Sequence, residues 1–380
     1  MKSTPHDVRG GGPSAGPPQA GPHPLGGSVN VPVGRGAATL RDKNITMAHG
    51  GGGRAMRELI ERLVVPAFDN PLLATLEDQA RVPLKQLAGI GDRLAFTTDS
   101  YVVSPLFFPG GDIGKLAICG TVNDLAMSGA QPLYLSCGLI IEEGLPTTDL
   151  ERVLASMSAL ARQTGIQVVT GDTKVVNRGA ADKLFINTAG IGVIAAGVNI
   201  SASRAQPGDA IIVNGSLGDH GVAILVARNE LDLQADIASD CQPLHGLVQA
   251  MLTACPDIHC LRDATRGGLA TVLNEFAISS KVGMRLHERA LPIRPEVRGA
   301  CELLGLDVLY MANEGKLVAV VPRASTDAVL AAMRAHPAGA DAAIVGEVLA
   351  EPAGHVILDT LFGGERVVDM LVGEQLPRIC

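Results

Sequence analysis

Short apolar runs in this chain end repeatedly on an aspartate set beside a small or turn-forming residue. The series is Gly91-Asp92, Thr98-Asp99, Asn123-Asp124, Gly171-Asp172, Gly218-Asp219 and Arg262-Asp263. Taken singly, each is an ordinary turn or cap residue. Taken together, they punctuate segments of two different periods, which rules out a pure helical bundle and a pure sandwich. Helical patterning runs over Met56–Val65, Lys115–Ser128, Thr148–Thr164, Gly267–Ser279 and Ser325–His336. Strand patterning runs over Leu94–Thr98, Leu133–Ile141, Gln167–Thr170, Leu184–Ala196, Ala210–Val213, Val308–Met311 and Lys316–Val321. Strands and helices mix without a strict βαβ rhythm, so the expected class is α+β.

A chain of 380 residues holds two cores of ordinary size. Pro207-Gly208 opens the second, giving an expected N-terminal domain over 41–198 and a C-terminal α+β domain over 199–376. With 3% aromatic residues and no Trp, the cores have to be built from Ala, Val, Leu and Ile. Residues 1–40 are rich in Gly and Pro and cannot bury enough apolar surface to offset their ordering entropy, so they are read as a flexible extension.

The bulk properties exclude several classes. A net charge of −8, with no basic cluster, argues against nucleic acid as a partner. The longest apolar run, Ala189–Val198, is too short to span a bilayer, and no leader-like segment opens the chain. Seven irregularly spaced cysteines do not form a disulfide framework, which fits a reduced cytoplasmic protein. Gly111–Lys115 lacks the spacing and the hydroxyl of a phosphate-binding P-loop. Gly190–Ala195 looks like a dinucleotide fingerprint, but no helix pattern follows it, so it reads as a core strand. Cys255 and Cys260, with one nearby His, lack the second ligand pair of a zinc site.

What remains is chemistry that aspartates at turns can perform. Carboxylates converging from separate turns can hold Mg²⁺ against a polyphosphate, because Mg²⁺ takes hard oxygen ligands and shares them with phosphate. Ala48–Arg54, Thr97–Ser100, Asn123–Ala130, Val169–Lys174, Arg262–Leu269, Asn313–Lys316 and the terminal Pro377–Cys380 carry a resemblance over about residues 45–380. The chain resembles the ATP-binding family typified by aminoimidazole ribonucleotide synthetase, thiamine monophosphate kinase and selenophosphate synthetase. Within it, the Pro-Arg-Ile-Cys tail resembles the [NiFe]-hydrogenase maturation branch, HypE.

The resemblance implies a two-domain fold whose N-terminal mixed sheet dimerises, with a mobile tail at 377–380. It implies a carbamoyl dehydratase, an enzyme that uses ATP and Mg²⁺ to convert an S-carboxamide on Cys380 into a thiocyanate. The implied partners are the carbamoyltransferase HypF as donor and a HypC–HypD complex as cyanide acceptor. Lys174 is implied as the cation beside the amide oxygen and Glu314 as the base. Asp99, Asp124, Asp172 and Asp263 are implied as Mg²⁺ ligands, with Asp92 assisting at the nucleotide; Asp219 reads as structural. An extended tail of five residues reaches roughly 17 Å, enough for one thiol to visit several sites. The alternatives are a thiamine phosphate kinase-like enzyme, which leaves Cys380 unexplained, and a non-catalytic ATP-binding scaffold. A selenophosphate synthetase would want a reactive Cys near the glycine-rich segment, and none occurs between Met1 and Ile118.

Deleting residues 1–40 is expected to leave the melting temperature and ATP binding close to those of the full chain. A large fall in either, by calorimetry, would show that the segment belongs to the fold.

Overall fold

The computed structural model describes residues 40, 42–77, 79–228, 236–373 and 379. These belong to one compact unit that begins at Ala37. In the N-terminal half, α1 (Arg54–Leu59), a π-helical turn (Ile60–Val64) and α2 (Val65–Phe68) follow one another, and α3 (Leu84–Ala88) leads into β1 (Arg93–Tyr101). A small hairpin, β2 (Phe107–Phe108) and β3 (Gly111–Asp112), precedes α4 (Ile113–Met127). Then come β4 (Ala130–Glu142), α5 (Thr147–Thr164), β5 (Gln167–Val176) and β6 (Leu184–Ile194). The sheet order is β1-β6-β4-β5, with β4 and β5 parallel and the other pairs antiparallel. Gly190–Ile194 lies within β6, a strand of the sheet.

The C-terminal half contains β7 (Ala210–Val213), α6 (Asp219–Arg228), α7 (His245–Ala254), β8 (Cys260–Asp263), α8 (Gly268–Ser280), β9 (Gly283–His287) and α9 (Pro295–Leu304). It continues through β10 (Leu317–Val321), α10 (Thr326–Arg334), β11 (Ala343–Leu349), β12 (Val356–Asp359) and β13 (Glu365–Val367). Its strands join in the order β13-β12-β9-β11-β7-β10-β8. The two sheets and their covering helices make an α+β fold of two domains. Val308–Met311, expected as a strand, is instead a 3₁₀ turn at Val308–Tyr310, because the Asp307 carboxylate accepts the Leu309 N–H at 3.0 Å and bends the chain. Among the described residues no helix is long and apolar enough to cross a membrane.

Helix α4 is the piece on which both halves rest. Asp112 caps it, accepting from the N–H groups of Gly114 and Lys115 at 2.8 and 3.0 Å. Nearly every side chain on it is buried, so it shows no polar stripe and must be enclosed on all sides. It packs on α5, on the inner face of the N-terminal sheet, and on α7 and β8 of the second half. Gly120 permits the closest of these approaches: a Cβ there would stand 2.4 Å from the Tyr101 hydroxyl.

Asn123, on the last turns of α4, binds the two halves together. Its amide donates to the Gln242 and Glu314 carbonyls at 3.1 and 3.3 Å, and its oxygen accepts the Leu244 N–H at 2.7 Å. Asn123→Ala strands these buried backbone groups, and a buried unsatisfied group costs about 1–3 kcal/mol. The expected loss is roughly 3 kcal/mol, read as a lower urea midpoint; a midpoint equal to wild type would show that water replaces the amide without cost.

Candidate active site

Three of the predicted aspartates come together where α4, β1 and β8 meet. On β1 the side chains alternate, so Ala95, Thr97, Asp99 and Tyr101 turn inward while Leu94, Phe96, Thr98 and Ser100 face outward. Thr97 Oγ1 donates to Asp124 Oδ2 at 2.9 Å. Desolvation raises the Asp124 carboxyl above its ordinary range and the Asp99 charge adds to this, while the Thr97 hydrogen bond and Arg262 oppose it. Asp263 is pushed up to about 7, by desolvation first and then by the charges of Asp124 and Asp99. The three carboxylates therefore feel one another. Among the described residues, though, no group of three His, Cys, Asp or Glu stands close enough to hold a metal ion by itself.

Asp124 and Asp263 line a cleft of about 730 Å³, together with Thr97, Arg262, Arg266 and Thr271. Arg262 is held by Glu275 at 2.6 Å. The Thr271 hydroxyl is buried there with no hydrogen-bond partner. Guanidinium groups, a waiting hydroxyl and hard carboxylates in one cleft suit a polyphosphate and a divalent cation.

Glu314 is 3% exposed, in the turn that enters β10. That turn is fixed along its length. Asp240 accepts the Glu314 N–H at 3.0 Å and pairs with Lys316 at 3.2 Å, and Asn313 Oδ1 accepts the Gly218 N–H at 2.8 Å. Tyr101 is near enough to Glu314 and to the aspartates to feel their charges. Its phenol is raised well above its ordinary value by burial, then by the negative charges of Asp99, Glu314 and Asp124, against a hydrogen bond from Thr121. Two residues further along, Val103 forms a β-bridge with Ile379. Ile379 is 3% exposed and part of the N-terminal core. Cys380, Pro377 and Arg378 lie outside the described residues, as does the 1–39 part of the N-terminal extension.

Asp172 and Lys174 do not join this cluster within one chain. Both are exposed on the outer face of β5, where Lys174 Nζ meets Asp172 Oδ1 at 3.3 Å. β1 and β5 are opposite edges of the sheet. Three interstrand steps of about 4.8 Å put them roughly 14 Å apart, and the two sets of side chains point to opposite faces. The Gly50–Gly53 run lies on the β5 side; a Cβ on Gly50 would stand 2.5 Å from Val175 N. Asp92 is not one of the three clustered carboxylates. It precedes β1, two residues before Leu94 of the cleft lining, and pairs with Arg93 at 3.3 Å. Asp219 is 2% exposed and held by Ser216 and Arg294, as a structural residue would be. His259 pairs with Asp209 at 2.7 Å, which leaves Cys255 and Cys260 as buried core residues.

Sequence reading missed Thr97, Tyr101, Asn123 and Asp240. The first three lie within two residues of a flagged aspartate and could have been found by asking what orients it. Asp240 stands in no motif.

A carboxyl raised from 3.8 to about 7 binds its proton more tightly in the folded chain than in the unfolded one. Its ionisation therefore costs stability, fully above pH 7 and not at all below pH 3.8. In EDTA without nucleotide, Asp263→Asn is expected to melt above wild type at pH 8. The gap should close as the pH falls through 7 towards 4, and an equal or lower melting temperature at pH 8 would contradict the like-charge cluster.

The chain also resembles known proteins along most of its length. The family described as AIR synthase related protein, N-terminal domain, matches residues 77–194, and its C-terminal domain counterpart matches 206–359. A carbamoyl dehydratase HypE of Rhodobacter capsulatus is 57% identical over 341 residues, 90% of this chain and 99% of that protein. The Escherichia coli K12 carbamoyl dehydratase HypE is 57% identical over 337 residues, 89% of this chain and 99% of its own. A crystal structure of hydrogenase maturation protein HypE in complex with ATP aligns with a TM-score of 0.83 at 51% identity, covering 88% of this chain and 99% of that one. A HypE–HypF complex aligns at 0.71 and 47% identity, covering 82% and 99%. Thiamine monophosphate kinase from Aquifex aeolicus shares the fold alone, with a TM-score of 0.53 at 20% identity, over 72% of this chain and 89% of that one. The chain belongs to the AIR synthase related family, within its carbamoyl dehydratase HypE branch.

Proposed function

We propose that this protein dehydrates a carbamoyl group carried on Cys380, using ATP, and so supplies cyanide for the iron of [NiFe]-hydrogenase. The observation that carries the reading is the crowding of functions on one stretch of chain. Residues 97–103 hold the Thr97–Asp124 contact, Asp99, Tyr101, which feels the charges of Asp99, Asp124 and Glu314, and the Val103 bridge to Ile379. A bridge at Ile379 starts Cys380 one Cα step, about 3.8 Å, from an anchored residue.

The chemistry needs these parts. An amide oxygen is a poor leaving group, so it has to take the terminal phosphoryl group of ATP before it departs as phosphate. The two amide protons must leave nitrogen as the C≡N bond forms. The net change is S-carboxamide plus ATP giving thiocyanate, ADP and phosphate. Glu314 serves as the base that takes a proton from nitrogen, held in place by its backbone contacts to Asp240 and Asn123. Asp99, Asp124 and Asp263, too far apart to hold an ion by themselves, would share Mg²⁺ with the phosphates, and the ion when bound neutralises phosphate charge. Arg262 and Arg266 bind the polyphosphate.

Lys174 reaches this chemistry through a second copy of the chain. The outer sheet face exposes Leu94, Phe96 and Ile140, and no strand of the same chain pairs with the β1 and β5 edges among the described residues. Laying two such faces together covers the apolar side chains. It also brings the Asp172, Lys174 and glycine-turn edge of one copy to the cleft of the other. The reading is a homodimer with composite sites, taking its carbamoyl group from HypF and handing cyanide to a HypC–HypD acceptor in the cytoplasm.

Incubation with HypF, carbamoyl phosphate and ATP is expected to add one carbamoyl mass to the C-terminal peptide and then remove one water. Cys380→Ala should show neither change, while Glu314→Gln should carbamoylate normally and dehydrate ~10²–10⁴-fold more slowly. A label on Cys119 or Cys137, or thiocyanate formed by Cys380→Ala, overturns the reading. ATP turnover that ignores carbamoylation of Cys380 would also count against it.

A further inference from the structure

His220 is completely buried at the start of α6, far in sequence from both ends of the catalytic stretch, and none of the steps above uses it. Its Nε2 lies 2.9 Å from the Ile379 carbonyl and its Nδ1 lies 2.8 Å from Ser239 Oγ. A carbonyl oxygen only accepts, so Nε2 carries the hydrogen and donates. Burial lowers the imidazole below its ordinary value, more than the Asp240 charge and the Ile379 carbonyl raise it, so the ring is neutral. A neutral ring with Nε2–H must accept at Nδ1, so the Ser239 hydroxyl donates there. Ser239 Oγ in turn accepts the Cys241 N–H at 3.1 Å. Phe108 meets the ring edge to face, centroids 5.7 Å apart at 81°, and packs against it. Tautomer, orientation and position are thus all fixed by neighbours, and the one hydrogen left to offer points at the residue before Cys380.

We propose that His220 is the positioning residue of the tail, a latch whose Nε2–H holds Ile379 against Val103 and so sets where Cys380 presents its carbamoyl group. Ile379 has two anchors, its side chain in the N-terminal core and its backbone between Val103 and His220. The side chain resists withdrawal without fixing direction. The carbonyl contact fixes the rotation of the Ile379 carbonyl, which the side chain leaves free. The proposal takes its purpose from the carrier role of Cys380, but the latch is testable without that chemistry.

The test is the alkylation rate of Cys380 by iodoacetamide in the full chain, read on the C-terminal peptide by mass spectrometry, with no carbamoyl donor present. In His220→Asn the amide reaches the Nδ1 position and leaves Ile379 without its donor. In His220→Gln the amide nitrogen reaches the Nε2 position and restores it. His220→Asn is expected to alkylate roughly three- to tenfold faster than wild type, the factor one net hydrogen bond represents, and His220→Gln close to wild type. Ser239→Ala keeps the imidazole but frees its tautomer, and should give a smaller acceleration even if His220→Asn fails to fold. Pre-carbamoylated His220→Asn should also dehydrate more slowly in a single turnover, with the rate recovered in His220→Gln. Equal alkylation in wild type, His220→Asn and Ser239→Ala, or equal acceleration in the Asn and Gln variants, overturns the latch. Altered alkylation without any dehydration would keep the latch and sink the carbamoyl reading instead.

Discussion

A helix enclosed on every side has no solvent face on which to place a mistake, and α4 is such a helix. Its side chains fill the space between the two sheets, and Asn123 spends both amide hydrogens and its oxygen on backbone groups of the C-terminal half. The next residue is Asp124. A rigid-body shift of either half that broke the Asn123 contacts would also move Asp124 away from Asp263 and Glu314 away from Tyr101. The geometry of the cleft is therefore a by-product of how the halves are joined. This places the sensitive positions on the buried face of α4 as much as in the cleft.

Electrostatics turns that rigidity into a preference for ligands. Three carboxylates that feel one another in a half-buried cleft are a cost to the ligand-free fold, and the cost appears as a proton retained on Asp263 up to about 7. A bound divalent cation converts the same repulsion into attraction. Arg262 is turned partly aside by Glu275, and Thr271 keeps an unused hydroxyl, so the cleft also holds donors that the protein does not need for its own stability. A stability-optimised cleft would have neutralised Asp263 with a nearby lysine.

How much of this could be read from sequence depends on which interactions are local. The strands, the helices and the aspartate turns were legible because period and turn chemistry are set within a few residues. Asp99, Asp124 and Asp263 were legible as a set because each ends or borders an element of recognisable pattern. The separation of Asp172 and Lys174 was not, since it follows from the strand order β1-β6-β4-β5, which puts sequence neighbours β5 and β6 two strands apart. Val308–Met311 has strand composition, yet one upstream carboxylate, Asp307, turns it into a 3₁₀ loop. His220 sits next to a flagged aspartate, but its partner lies 159 residues away, beyond any local pattern.

That long-range contact bears on how a carrier tail has to work. A thiol that visits a donor protein and then an internal site needs a docked state that is neither too weak to hold nor too strong to leave. Burying an isoleucine side chain contributes about 1.5–3 kcal/mol, and one net hydrogen bond adds about 1 kcal/mol. Fixing the backbone of each ordered residue costs about 1–2 kcal/mol. Ordering two or three residues would therefore nearly cancel a single buried side chain and its carbonyl contact, and a docking equilibrium of that kind would stay within a few kcal/mol of even. In that regime one hydrogen bond decides which state dominates. A side chain bonded more strongly than a neutral imidazole, such as a lysine or a protonated histidine facing the same carbonyl, would hold the tail too firmly for release. A buried histidine kept neutral by its surroundings supplies a donor of the strength that such an exchange requires.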